Sequence, residues 1–441
     1  RPVTTMHYLI EPAAIGDADV TVPGDKSVSH RAVMLGSIAE GVSEVRGFLA
    51  GEDCLATMDA FQNLGVTIER PGKTELVIHG VGLHGLQPPK GDLDLGNSGT
   101  AMRLMAGLLA GQDFPATLTG DESLTGRPMQ RIITPLCSMG AAIESRDGKP
   151  PLQIRGNPAL EGIDYTLPMA SAQVKSAILL AGLYARGRTT VTEPAITRDH
   201  TERMLRAMGV AVSSNDGRIG LEGPATLRAC PVRVPADLSS AAFVILAALL
   251  ADKADVLIRD VGVNPTRTGV LDILRAMGGA ITEENRRDMG EEPVADLRVR
   301  SSRLRGIEVD PALVSLAIDE FPVLFVAAAA AAGETCFTGI GELRVKESDR
   351  IAAMAAGLRA LGIGVDEFAD GARVRGGRFS AGVVESFGDH RIAMSFAVAG
   401  SVADGPVTVR DVAAVETSFP GFEACLAGIG AIIRRQSEVP A

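Results

Sequence analysis

A chain of 441 residues is too long for a single hydrophobic core, and 46% hydrophobic content rich in Ala, Gly, Leu and Val describes an ordinary α/β globule, not a disordered chain. A formal net charge of -11 sets aside nucleic acid or an anionic membrane as the main partner, so clustered basic residues must form a local patch suited to a small anionic ligand. The cysteines, Cys54, Cys137, Cys230, Cys336 and Cys425, are odd in number and far apart, which fits thiols in a reducing compartment. The N-terminal residues carry neither a signal-peptide core nor a transit-peptide composition, and the expected location is the cytoplasm.

The first strand ends at Pro23, and Asp25 then opens an apolar helix. A short polar residue before about four turns of apolar helix recurs at Asn97, Ser171, Asp237, Asp319 and Asp389, 66 to 82 residues apart. Between these starts a second amphipathic helix closes in apolar-Gly-apolar, at Gly65, Gly140, Gly209, Gly278, Gly362 and Gly430. Such a glycine supplies the left-handed C-cap, and the β-branched run after it reads as a strand. The repeat is therefore strand, helix, strand, helix, strand, strand, six times over, three to a domain. The apolar run from Val323 to Ala332 is too short to span a bilayer and reads as a buried helix.

Val-Pro stands just before a unit start at Pro23 and again at Pro235. The two crossings are expected to form a hinge between a domain at residues 24–235 and one made of 1–23 plus 236–441. A cleft lined by helix N-termini, closing on its ligand, follows from that division.

Helix N-termini present unpaired N–H groups and a positive dipole end, which attract anions and repel cations. Yet Asp25 is followed by Lys26, His30 and Arg31, Asn97 by Arg103, Ser171 by Lys175, and Asp389 by His390 and Arg391. Cations placed where they cost stability point to a site. No histidine has metal-ligand spacing, and no metal is expected.

The segments PGDKSVSHRAVMLGSIAEG, LGNSGTAMRLMAGLLAG, GRPMQRI, ELRVKESDRIAAM and DHRIAMSFAVAG, in that order, resemble the signatures of the 5-enolpyruvylshikimate-3-phosphate synthase family. The resemblance runs from about Pro23 to about Pro420. It implies an α/β fold, a two-domain inside-out barrel of six βαβαββ repeats with three per domain, and a monomer without cofactor. It also implies the substrates phosphoenolpyruvate and shikimate 3-phosphate, whose phosphates and carboxylates must be gathered and desolvated together. By the same resemblance Lys26, Gly99, Arg127, Gln173, Arg350 and Arg391 bind phosphoenolpyruvate. Lys26, Ser27, Arg31, Ser171, Ala172, Gln173, Arg198, Asp319 and Lys346 bind shikimate 3-phosphate. Asp319 is the base at the 5-hydroxyl and Glu347 the proton donor and acceptor at C3 of phosphoenolpyruvate, with Lys26 and His390 assisting.

The chain departs from the family pattern in places. Ala172 replaces the second Ser of Ser-Ser-Gln, and Thr417-Ser-Phe-Pro420 lacks a Lys found in many members. Arg198-Asp-His-Thr-Glu202 resembles the second, glyphosate-tolerant subgroup, whereas Gly99 stands where the most tolerant members carry Ala, and Leu104 replaces the Pro of sensitive ones. Two rival readings differ in visible ways. UDP-N-acetylglucosamine enolpyruvyl transferase would show Lys-Asn where Lys26-Ser27 stands and a Cys in the Gly120–Pro128 loop. A non-catalytic anion-binding module has no use for Asp319 and Glu347, which repel anions unless they move protons.

Overall fold

The computed structural model describes residues 5–438, and the chain divides into two compact units. One holds Gly24–Val234 with the turn Met289–Glu292, and the other holds the described residues up to Pro23, Pro235–Asp288 and the described residues from Pro293 onward. Among the described residues, helices of seven residues or more come as six pairs. They are α1 (Lys26–Ile38) and α2 (Glu52–Asn63), α3 (Gly99–Ala110) and α4 (Gln130–Ser138), α5 (Ala172–Gly182) and α6 (His200–Ala207), α7 (Leu238–Leu250) and α8 (Gly269–Ala276), α9 (Phe321–Ala330) and α10 (Arg350–Ala360), and α11 (His390–Ser401) and α12 (Phe422–Gly428).

Among the described residues the strands form six small sheets, three from each unit, and five share one order. In the sheet holding Ala116–Thr119, that strand pairs parallel with Leu93–Asp94 on one side and antiparallel with Lys149–Ile154 on the other; Ile143–Arg146 completes the edge. The sheet of Asp164–Thr166, Gly187–Thr192, Arg218–Gly223 and Val212–Asn215 repeats this pattern. In the third sheet of that unit the parallel edge strand comes from far along the chain, with Val232 opposite Val45 and Arg233 opposite Arg46. In the other unit Ala18–Val20 plays the same part beside Asp255–Gly262, and the sheet of Thr5–Glu11 and Ile432–Glu438 joins the two ends of the described chain. The sheet of Glu334–Phe337, Gly371–Arg375 and Val365–Phe368 has three strands, its parallel edge reduced to the bridges Arg305 to Ala332 and Glu308 to Cys336.

All six closing glycines adopt positive φ, from +84° at Gly362 to +115° at Gly430, so the left-handed C-cap recurs where the sequence predicts it. Two of the six helix starts fall elsewhere. Ser98, not Asn97, caps α3, its hydroxyl accepting from Ala101 N at 3.0 Å, while Asn97 donates to Asp121. Asp319 is not the cap of α9: it lies inside the 3-10 turn Ile318–Glu320 that runs into that helix, and Glu320 takes the N-cap position. Asp25, Ser171, Asp237 and Asp389 cap α1, α5, α7 and α11 through their side chains.

The first helix of each pair is buried nearly all round, and α7 and α9 are apolar as well. Helices α7, α9 and α11 pack on one another in one unit, as α3 packs along α5 in the other. Each unit thus has its own core. The stretch Pro311–Ala330 has the length and apolarity of a membrane span, but its α9 portion is buried in that core.

Candidate active site

In the unit containing residues 24–234, side-chain bonds join the N-termini of α1, α3 and α5. None of the three helices has an acid in its first turn. His30 on α1 bonds Thr57 Oγ1 at 2.8 Å and lies 3.4 Å from Ser98 Oγ, the cap of α3. Gln173 on α5 donates to Thr100 Oγ1 at 2.9 Å and accepts from Arg103. Buried Arg31 donates to Thr201 Oγ1 at 2.7 Å, to Ser27 O at 2.9 Å and to Ser176 Oγ at 3.1 Å. Arg198 Nη1 reaches Ser27 Oγ at 3.3 Å, and Lys26 pairs with buried Asp53. Ser171 spends its hydroxyl on Val174 N at 3.3 Å, with Ala172 at the first helical position. Arg127 is buried against Gly99, so close that a Cβ there would lie 2.6 Å from Nη1.

Burial, helped by Lys26 and Arg31, holds His30 well below the usual histidine value, so it sits neutral among charges.

In the other unit buried Arg350 gathers three carboxylates. Its Nε lies 2.8 Å from Asp389 Oδ2, its Nη2 2.6 Å from Glu347 Oε2, and its Nη1 3.6 Å from Asp319 Oδ1. Ser348 Oγ donates to Asp389 Oδ2 at 2.8 Å. Burial disfavours charge on both members of the Arg350–Asp389 pair, yet each holds the other ionised: Arg350 is raised and Asp389 lowered from its ordinary value. Lys346 is pushed down by burial against the opposing pull of Asp319. His390 and Arg391 occupy the buried first turn of α11. Among the described residues no His, Cys, Asp and Glu cluster could hold a metal ion.

Comparison with known proteins matches the model of one family, EPSP synthase (3-phosphoshikimate 1-carboxyvinyltransferase), over residues 11–426. The chain belongs to the EPSP synthase family. It is 57% identical over 428 residues to the 3-phosphoshikimate 1-carboxyvinyltransferase of Xanthomonas euvesicatoria pv. vesicatoria (strain 85-10), covering 97% of each chain. It is 56% identical to that of Xanthomonas campestris pv. campestris (strain B100), covering 97% of this chain and 98% of the relative. The 2.37 Å structure of EPSP synthase from Acinetobacter baumannii superposes with a TM-score of 0.87 at 51% identity, over 98% of this chain and 100% of that one.

Within this EPSP synthase frame the partners of several candidate site residues are set by packing and not by any motif. Asp53 faces Lys26, Asp389 faces Arg350, and Arg103 holds Gln173 while its Nη2 donates to Pro128 O at 3.2 Å. Buried Lys175 lies 3.0 Å from both Glu193 and Glu202 and fastens the segment that carries Arg198. His200 bonds Glu292 at 2.6 Å, although it stands 92 residues away. Asp53 and Glu292 carry no sequence signal, because their partners are distant in the chain. The cations at 103 and 175 are visible in the sequence as charges inside apolar helices.

Proposed function

We propose that Asp319, Glu347 and Arg350 carry the chemistry by which this chain transfers the enolpyruvyl group of phosphoenolpyruvate to the 5-hydroxyl of shikimate 3-phosphate, the shikimate-pathway reaction of its family. The observation that carries the reading is Arg350 flanked by Asp319 and Glu347, which puts two carboxylates and a fixed cation in one small region. Such a grouping suits proton transfer beside an anionic substrate.

In the proposed mechanism Asp319 takes the proton of the 5-hydroxyl as its oxygen attacks C2 of phosphoenolpyruvate, and Glu347 delivers a proton to C3. A tetrahedral ketal phosphate results. Glu347 then removes a proton from the new methyl group, the double bond re-forms, and the C2–O bond to phosphate breaks to release inorganic phosphate. Lys26, Arg127, Arg350 and Arg391, with the backbone of Gly99, are proposed to hold phosphoenolpyruvate. Ser27, Arg31, Ser171, Ala172, Gln173, Arg198 and Lys346 are proposed to hold shikimate 3-phosphate. Arg31 already makes three protein bonds, so its part includes fixing Ser27 and α6 in place. Lys26 and His390 assist, His390 from its buried place at the start of α11.

The common strand order supports reading each unit as three βαβαββ repeats of an inside-out barrel. The chain crossings at Pro23 and Pro235 support a hinge that closes on the substrates. Residues 198–202 and Leu104 support placement in the glyphosate-tolerant subgroup, with Gly99 keeping partial sensitivity. Proton and phosphorus NMR of the mixed substrates test the activity: vinyl protons on an ether at carbon 5 and free phosphate are expected, and unchanged substrate spectra would refute it.

A further inference from the structure

Asp319 sits in a 3-10 turn of three residues, too short to fix a side chain by its own backbone bonds. The next residue, Glu320, is 2% exposed and lies in an apolar core between Ala317 and Phe321. Glu320 takes the N-cap position of α9 without making a cap bond; its carboxylate instead accepts from Ser239 Oγ. Ser239 in turn accepts from Arg267 Nη2 at 2.8 Å, and the same nitrogen lies 3.0 Å from Asp237 Oδ1. Asp237 closes the chain by capping α7 at Ser239 N, 2.8 Å away.

All four side chains are buried. Charges in such a place destabilise a fold relative to apolar residues of similar volume, even when paired. A buried polar chain retained at that cost, ending one residue from a proposed base, points to geometry and not stability. We propose that Arg267, Ser239 and Glu320 are positioning residues: the relay anchors the turn to the start of α7 and so fixes the Asp319 carboxylate against the 5-hydroxyl. The inference rests on the reading of Asp319 as base.

Glu320→Ala and Ser239→Ala, assayed in the full-length enzyme, test it. Expected is a fall in kcat of tenfold or more, with KM for both substrates within about twofold, because small misplacement of a reacting group costs rate and not binding. Glu320→Gln, which can still accept from Ser239, should recover most of that loss. Glu320→Ala added to Asp319→Ala should cost nothing further. If both alanine variants keep wild-type kcat while their melting temperatures fall, or if Gln is as poor as Ala, the relay is structural and the proposal is overturned. Should Glu320→Ala fail to fold, Ser239→Ala, which removes one hydroxyl, decides alone. Near-normal turnover in Asp319→Ala would instead refute the base reading, whereas an inactive Asp319→Ala beside a normal Glu320→Ala overturns only the relay.

Discussion

Arg350 and Asp389 lie 2.8 Å apart, Nε to Oδ2, both buried, and their bond joins the start of α10 to the start of α11. The pair holds the Asp389 carboxyl below its ordinary value against the opposing effect of burial. A lowered carboxyl stabilises the fold above its unfolded value of about 3.9, and that contribution fades as pH falls through the folded value. Acid unfolding should therefore set in below about pH 4. Asp389→Asn should be less stable than wild type at pH 7, with the gap narrowing toward pH 3 in urea titrations. A gap constant with pH would remove the pair from the acid transition.

His30 gives the opposite kind of pH dependence. Its folded value is lowered, so the unfolded chain binds the proton better, and stability falls as pH drops below about 6.5, by up to about 1.4 kcal/mol per pH unit until the folded value is reached. His30→Gln, which can still face Thr57, should lose less stability than wild type between pH 7 and pH 5. Parallel curves for the two proteins would show that His30 is not the titrating group.

Gly99 acts through Arg127. An added methyl would sit 2.6 Å from the guanidinium, the far end of a long side chain, so Gly99→Ala should fold normally while moving Arg127. Since Arg127 is a proposed phosphoenolpyruvate ligand, KM for that substrate should rise severalfold. The inhibition constant for glyphosate, a longer molecule, should rise more. Equal changes in the two constants would show that Gly99 does not set the available length.

The repeat was the most legible feature of this sequence, because its punctuation is local: a glycine forced to positive φ and a short polar cap are both written into one or two residues. The cap of α3 slipped by one position because Asn97 and Ser98 are both good caps and only tertiary contact with Asp121 decides between them. Asp319 reads as a cap for the same reason, and only the fold reveals a 3-10 turn whose last residue, Glu320, accepts from Ser239 Oγ. Lys26 can be picked out as a cation at a helix start, whereas Arg350 is legible only through the family resemblance. Their partners Asp53 and Asp389 could not be assigned, since pairing across 27 or 39 residues is a property of the packed units.

Asp319→Ala should lower turnover roughly a hundredfold or more with substrate binding kept, the usual size of a general-base contribution. Isothermal titration with shikimate 3-phosphate separates the two effects. Lost binding with proportionate loss of turnover would make Asp319 a ligand only.

Release of inorganic phosphate on mixing phosphoenolpyruvate with shikimate 3-phosphate tests the central claim most directly. Wild type should release phosphate in equal amount to the shikimate 3-phosphate consumed, only with both substrates present, and Glu347→Gln should release it far more slowly. Release from phosphoenolpyruvate alone, or none from the pair, would contradict the account.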